Sequence, residues 1–239
     1  MPCSALYNHP AMETARIAEL LQPFLREADS SRLKPARNDK VFASDLSQAQ
    51  LDQIAAYLDL LLLWNARINL TSVREPEAII TRHFGESIFA ARHIFPESSA
   101  DHIIDLGSGA GFPGLPIKIV WPDLRLTLIE ANQKKGTFLR EVVRKLELTN
   151  VEVFSGRGED YSAKADVVTF RAVERFEQAL RLACNLINPG GRAALLIGSS
   201  QVELARRLTP QIAWNDPLEV PLSSNRVLLI GTVNAESRP

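Results

Sequence analysis

The chain has 239 residues, 46% hydrophobic and 23% charged, enough for one well-buried core with at most a small appended domain. No window holds the 18 or so uninterrupted apolar residues of a membrane helix, and Cys3 and Cys184 stand alone, so membrane, disulfide scaffold and metal site are all unexpected and a reducing cytoplasm is the expected setting. With 27 Lys and Arg against 28 Asp and Glu the net charge is −1, so any nucleic-acid contact has to come from a local basic patch.

Met12 to Leu25 carries Ile17, Leu20, Leu21 and Phe24 at helical spacing, which Pro23 ends or bends. Ser30 to Asp45 mixes Ser, Pro, Asn and charge without a period and reads as a linker. Ser47 with Gln50 resembles a capping box, after which Leu51, Ile54, Ala55, Leu58, Leu61 and Leu62 recur at three- and four-residue steps to about Asn65. Pro76 opens a further helical region striped by Ile79, Ile80, Phe84, Ile88 and Ala91. Residues 1–95 are therefore expected to form a helical N-terminal extension.

After Asp101 short aliphatic runs alternate with amphipathic segments, the grammar of an α/β domain with a mostly parallel sheet, expected over residues 96–239. Strands are predicted at His102 to Leu106, Leu124 to Ile129, Val151 to Ser155, Asp166 to Arg171, Arg192 to Ile197, Leu218 to Leu222 and Arg226 to Val233. Ser223-Ser224-Asn225 is too short for a helical crossover, so the last pair is expected to be antiparallel. Crossover helices are predicted at Leu115 to Val120, Lys134 to Leu146, Glu174 to Ile187 and Gln201 to Leu208, with Asn188 to Gly191 as a turn into the fifth strand.

The stretch from Asp105 to Gly114 joins the first strand to the first crossover helix. Its glycines, Gly107, Gly109 and Gly111, let backbone approach a ligand, and Pro113 or Pro116 suits the start of a helix. Glu130 ends the second strand 23 positions after Gly107, near the spacing of about 20 at which an acid takes the ribose hydroxyls of a nucleotide ligand. NAD and S-adenosylmethionine both fit that pattern. Asp105 directly before the loop favours the methyl donor, because a carboxylate suits a sulfonium ligand with a free amino group and opposes a pyrophosphate.

Trp64-Asn65-Ala-Arg67-Ile-Asn69-Leu70-Thr71-Ser72, Arg82-His83 with Glu86-Ser87, the glycine loop, Gly156-Arg157-Gly158-Glu159 and Phe170-Arg171-Ala172 together resemble the bacterial small-subunit ribosomal RNA guanine-N7 methyltransferases, the RsmG or GidB family. The match runs from about Tyr57 to Gly191, and the Trp-Asn to Thr-Ser segment is its most specific part. The resemblance implies a Rossmann-like class I methyltransferase sheet with an antiparallel last strand, S-adenosylmethionine as donor, and 16S ribosomal RNA or the small subunit as partner. It also implies that Gly107 and Phe112 line the donor site, that Gly158 and Glu159 meet the adenine, that Arg171 sits at the donor edge facing RNA, and that His83 faces RNA. Lys134 is a further substrate candidate, with Lys135, Arg140, Arg144, Lys145, Arg67, Arg74 and Arg82 as possible phosphate contacts. Replacing Arg171 by Ala is expected to depress donor binding or transfer while leaving the fold intact. The chain departs from the family at Glu86, Phe170 and Ile197, where Asp, Ser and Lys are usual. The missing lysine leaves a noncatalytic RNA-binding module as an alternative, and the glycine spacing alone an NAD-linked oxidoreductase. No catalytic residue is assigned: guanine N7 is a free lone pair and needs no general base.

Overall fold

A computed structural model describes residues 12–25, 46–95, 101–173 and 175–234. The expected linker from Ser30 to Asp45 and Cys3 fall outside the described residues, as does Glu174 at the predicted start of a helix. One eight-stranded sheet organises the chain: β1 (His102–Leu106), β2 (Arg125–Ile129), β3 (Val151–Phe154), β4 (Ala165–Arg171), β5 (Ile187–Gly198), β6 (Ile212–Trp214), β7 (Leu218–Glu219) and β8 (Arg226–Val233). The order is β3-β2-β1-β4-β5-β8-β6, with β7 also paired to β8. The first five strands are mutually parallel. β8 lies antiparallel to β5, and β6 and β7 are antiparallel to β8.

Burial on both faces explains why the central strands are near-continuous aliphatic runs. Ile103 and Ile104 are both fully buried, as are Val167 and Val168. The order reverses between β1 and β4, which places the glycine loop after β1 at the topological switch point, where ligands of open α/β sheets bind.

The helices are α1 (Thr14–Leu25), α2 (Gln48–Asn65), α3 (Pro76–Ile79), α4 (Glu86–Ile94), α5 (Gly114–Val120), α6 (Gln133–Lys145), α7 (Phe176–Leu186) and α8 (Val202–Leu208). Ser47 does cap α2: its Oγ accepts from the Gln50 amide at 3.3 Å while Gln50 Oε1 accepts from the Ser47 amide at 2.9 Å. α1 runs past Pro23 to Leu25. Between α3 and α4 the chain widens to a π stretch, Ile80–Gly85. A methyl on Gly85 would strike the Phe24 ring, so glycine lets α1 close onto this stretch.

The leader helices share one apolar core with a face of the sheet. Ile17, Leu58 and Phe84 join Leu115, Leu126, Leu128 and Phe138 there, while α7 and α8 cover the opposite face. α2 also supplies polar caps to the crossover helices. Gln50 donates to the carbonyls of Ile119 and Val120, and Gln53 to that of Leu146, satisfying helix-end acceptors that lack intrahelical partners. None of the helices among the described residues is long and apolar enough to cross a membrane.

Candidate functional site

The three glycines of the loop adopt left-handed backbone, with φ of +69° at Gly107, +58° at Gly109 and +90° at Gly111. Two of these glycines meet different needs. Gly107 is exposed and presents bare backbone at the switch point, whereas a Cβ at Gly111 would collide with the Tyr57 hydroxyl and lie 2.5 Å from Leu115 Cδ1. Tyr57 reaches the loop from α2. Its hydroxyl donates to the Ala110 carbonyl, and its ring stacks on Phe112 with centroids 5.4 Å apart. Phe84 meets Phe112 edge-on at 5.1 Å. Phe112 is thus held between leader and loop, mostly buried, and shapes the loop from behind.

Two carboxylates frame the loop. Asp105 is fully buried, and its Oδ2 accepts from the Gly114 amide at 3.0 Å while Oδ1 has no partner. Burial pushes its carboxyl up to about 7, against the opposing pull of the Gly114 amide. Glu130 is 8% exposed and braces the loop, accepting from the Gly109 amide at 2.8 Å and the Asn132 amide at 2.7 Å. Each of its oxygens keeps a second lone pair for a ligand hydroxyl. A buried acceptor without a partner, an exposed glycine backbone and a strand-end carboxylate fit a ligand with an ammonium group and a ribose.

Across the switch point β4 ends at Arg171, followed by Ala172 at φ +49°. Arg171 is buried, and its guanidinium lies 3.1 Å from Glu86 Oε2. The Arg226 Nε approaches the same oxygen at 3.5 Å. Burial raises the Glu86 carboxyl and lowers the Arg171 guanidinium to about 10, leaving Arg171 charged at neutral pH. Arg171 therefore ties β4 to α4 through a buried ion pair.

His83 lies in the π stretch with its ring 5.0 Å from that of Phe112. Its Nε2 is 2.7 Å from the Thr71 hydroxyl and its Nδ1 is buried without a partner. Burial, reinforced by Arg171, lowers it to about 3, so the ring is neutral at physiological pH. The leader motif that positions it is a hydrogen-bonded turn: Asn65 Oδ1 accepts from the amides of Leu70 and Thr71 at 2.9 and 3.0 Å, and its Nδ2 donates to the Thr71 carbonyl at 3.0 Å. Trp64 closes the other side, donating to Glu141 on α6 at 3.1 Å. Arg74 is drawn into the same turn through the Asn65 carbonyl and Asn69.

Gly158 starts a short 3-10 turn after β3, packed so closely that a Cβ there would lie 2.5 Å from Leu182 and 2.8 Å from Leu106; Glu159 beside it is exposed. Lys134 is exposed in the first turn of α6, where Asn132 caps the amides of residues 134 and 135. Because α6 returns antiparallel to the strands, Lys134 and Lys135 stand at the ligand end, and Arg144 and Lys145 at the far end. Arg140 lies between them, held by Ser155 Oγ. Among the described residues no group of three or more His, Cys, Asp or Glu is placed to hold a metal.

Sequence reasoning did not assign Tyr57, Glu86 or Arg226 to the site. Glu86 stood out only as a departure from a motif, and Arg226 is brought in by the antiparallel β5–β8 pairing, which no local spacing encodes.

The fold agrees with what the chain is similar to. A family model described as GidB, rRNA small subunit methyltransferase G, matches residues 50–221. A protein named ribosomal RNA small subunit methyltransferase G from Chloroflexus aggregans is 38% identical over 200 residues, 78% of this chain and 83% of its own. Its namesake from Roseiflexus castenholzii is 38% identical over 198 residues, 77% and 84% of the two chains. A solved structure of a ribosomal protein L11 methylase from Lactobacillus delbrueckii subsp. bulgaricus superposes with a TM-score of 0.55 at 9% identity, covering 64% of this chain and 79% of that one, a likeness of fold. With the family model spanning most of the chain and the relatives most of its length, this protein belongs to the rRNA small subunit methyltransferase G family.

Proposed function

We propose that this protein transfers a methyl group from S-adenosylmethionine to N7 of a guanine in 16S ribosomal RNA in the cytoplasm. Family membership carries the reading, and the observation that supports it in the structure is the buried, partnerless Asp105 oxygen beside exposed glycine backbone at the switch point.

When bound, the donor supplies a methyl carbon made electrophilic by the adjoining sulfonium. Asp105 Oδ1 would take the ammonium end of the donor, the Gly107 to Gly109 backbone would lie against its centre, and Glu130 would take the ribose. The turn at Gly158 and Glu159 would border the adenine. Transfer would form a bond from the guanine N7 lone pair to that carbon as the carbon–sulfur bond breaks, leaving a neutral thioether and the positive charge on the methylated base. No proton moves at N7, so the protein's work is to orient two reactants and keep water away, an effect that can supply about 7 to 11 kcal/mol in well-aligned cases. Phe112, His83 and Tyr57 suit the second task, since a packed, largely buried ring cluster leaves little room for water. Lys134, exposed in the first turn of α6, would contact a phosphate of the substrate.

Calorimetry with S-adenosylhomocysteine and with NAD tests the donor assignment. Binding of the homocysteine ligand without a response to NAD is expected, and the reverse would overturn it.

A further inference from the structure

Leu222 is the most exposed large apolar side chain among the described residues, at 73% against 44% for Leu63. Its backbone is left-handed, with φ +59°, a region that a branched aliphatic residue rarely occupies. The turn that holds it is well made. The Val220 amide donates to the Arg226 carbonyl at 3.1 Å, Ser223 to the Val220 carbonyl at 3.2 Å, and Arg226 to Ser223 Oγ at 3.1 Å, while Ser199 at the end of β5 donates to the Asn225 carbonyl at 2.8 Å. An ordered turn that keeps a leucine in water, at a backbone angle glycine would adopt freely, points to a role for the side chain itself.

Its position says which role. The turn joins β7 to β8, and β8 opens with Arg226 opposite Gly198, the last residue of β5. Leu222 thus stands at the end of the sheet that carries the glycine loop. Arg226, four residues on, reaches Glu86 and through it Arg171. Glu86 also feels Arg82; Arg82 is exposed and Arg226 partly exposed at this edge, and these two guanidiniums complement the phosphates of a nucleic acid. Methyltransferases that act on a base commonly draw it out of its stack, and proteins that open a stack commonly insert an apolar wedge such as Leu.

We propose that Leu222 is that wedge, entering the base stack beside the acceptor guanine as the base is withdrawn. The inference rests on the RNA methyltransferase reading given above. It identifies the occupant of this exposed side chain as substrate RNA, not a protein partner.

Leu222→Gly removes the wedge and releases the backbone, and Leu222→Met keeps an apolar side chain of similar size. Two readouts apply to each: methyl transfer to small subunits that lack the modification, and the fluorescence of a protein-free RNA hairpin with 2-aminopurine next to a loop guanine, which brightens on unstacking. Wild type and Leu222→Met should brighten the hairpin and transfer at similar rates. Leu222→Gly should leave the hairpin dark and transfer about tenfold more slowly, equivalent to about 1.4 kcal/mol, with unchanged S-adenosylhomocysteine affinity and an unfolding midpoint at or above that of wild type. Transfer by Leu222→Gly within about twofold of wild type, equal brightening by both, or a loss of homocysteine-ligand affinity would overturn the wedge. So would a defect seen with subunits but absent with the hairpin, which would assign Leu222 to a protein contact. Wild type that labels no N7 at all would instead overturn the methyltransferase reading, and the wedge with it.

Discussion

Asp105 shows how one residue's environment sets its chemistry. A carboxyl at the end of a buried strand, accepting from the Gly114 amide, is raised to about 7 because burial disfavours the charge more than that amide, Ser108 and Arg171 restore it. An arriving ammonium favours the ionised form, so binding should lower this value and release a proton. The sign follows: below about 7 the acid must first be deprotonated, and affinity for S-adenosylhomocysteine should rise with pH. Between pH 6 and 7.5 the rise should be roughly five- to tenfold, measured by calorimetry, and Asp105→Asn should flatten it. A pH-independent affinity in the wild type would remove Asp105 from the donor site. Glu130 contrasts with it: at a strand end, with two amides on its oxygens, it braces the loop.

At the scale of elements, the Arg171–Glu86 pair is the bolt between the sheet and the leader, since it joins the last residue of β4 to the first of α4 with both side chains buried. Breaking such a pair leaves an uncompensated charge, which typically costs about 3 to 5 kcal/mol. Arg171→Ala should therefore lower stability by about 3 kcal/mol in urea denaturation, and Glu86→Leu with Arg171→Met should recover more than half of it. An Arg171→Ala chain as stable as wild type would mean the bolt carries no load. Much of this element layout was readable in advance. The β1 run, the capping box at Ser47, the apolar stripe of α2 and the hairpin order of β7 and β8 follow from periodicity and turn chemistry that act over a few residues. Where local pattern gave out, tertiary context decided. β6, three residues long, exists because Ile212 and Trp214 pack on β8. The Asn188 to Gly191 turn is absorbed into β5 as an irregularity, where pairing jumps from Ala165↔Ile187 to Val167↔Arg192 with Gly190 at φ +77°. Of the site, the glycine loop and Glu130 were readable because chemistry and spacing coincide there. The buried state of Arg171 was not, because its partner lies 85 positions away in sequence, from 86 to 171.

Over the whole molecule, the leader is part of the enzyme's core. Tyr57 and Phe84 support the glycine loop through Phe112, Gln50 and Gln53 cap α5 and α6, and Glu86 holds β4. One continuous apolar cluster links leader, crossover helices and sheet face, so the glycine loop and the elements around it are set by the same packing. The measurement that bears most directly on the function is the identity of the product. The protein is incubated with methyl-labelled S-adenosylmethionine and small ribosomal subunits lacking the modification, the 16S RNA is digested, and the labelled nucleoside is identified by mass spectrometry. Label in 7-methylguanosine from a single position of the 16S RNA is the expected result. Label in another nucleoside, in ribosomal protein, or nowhere would contradict it.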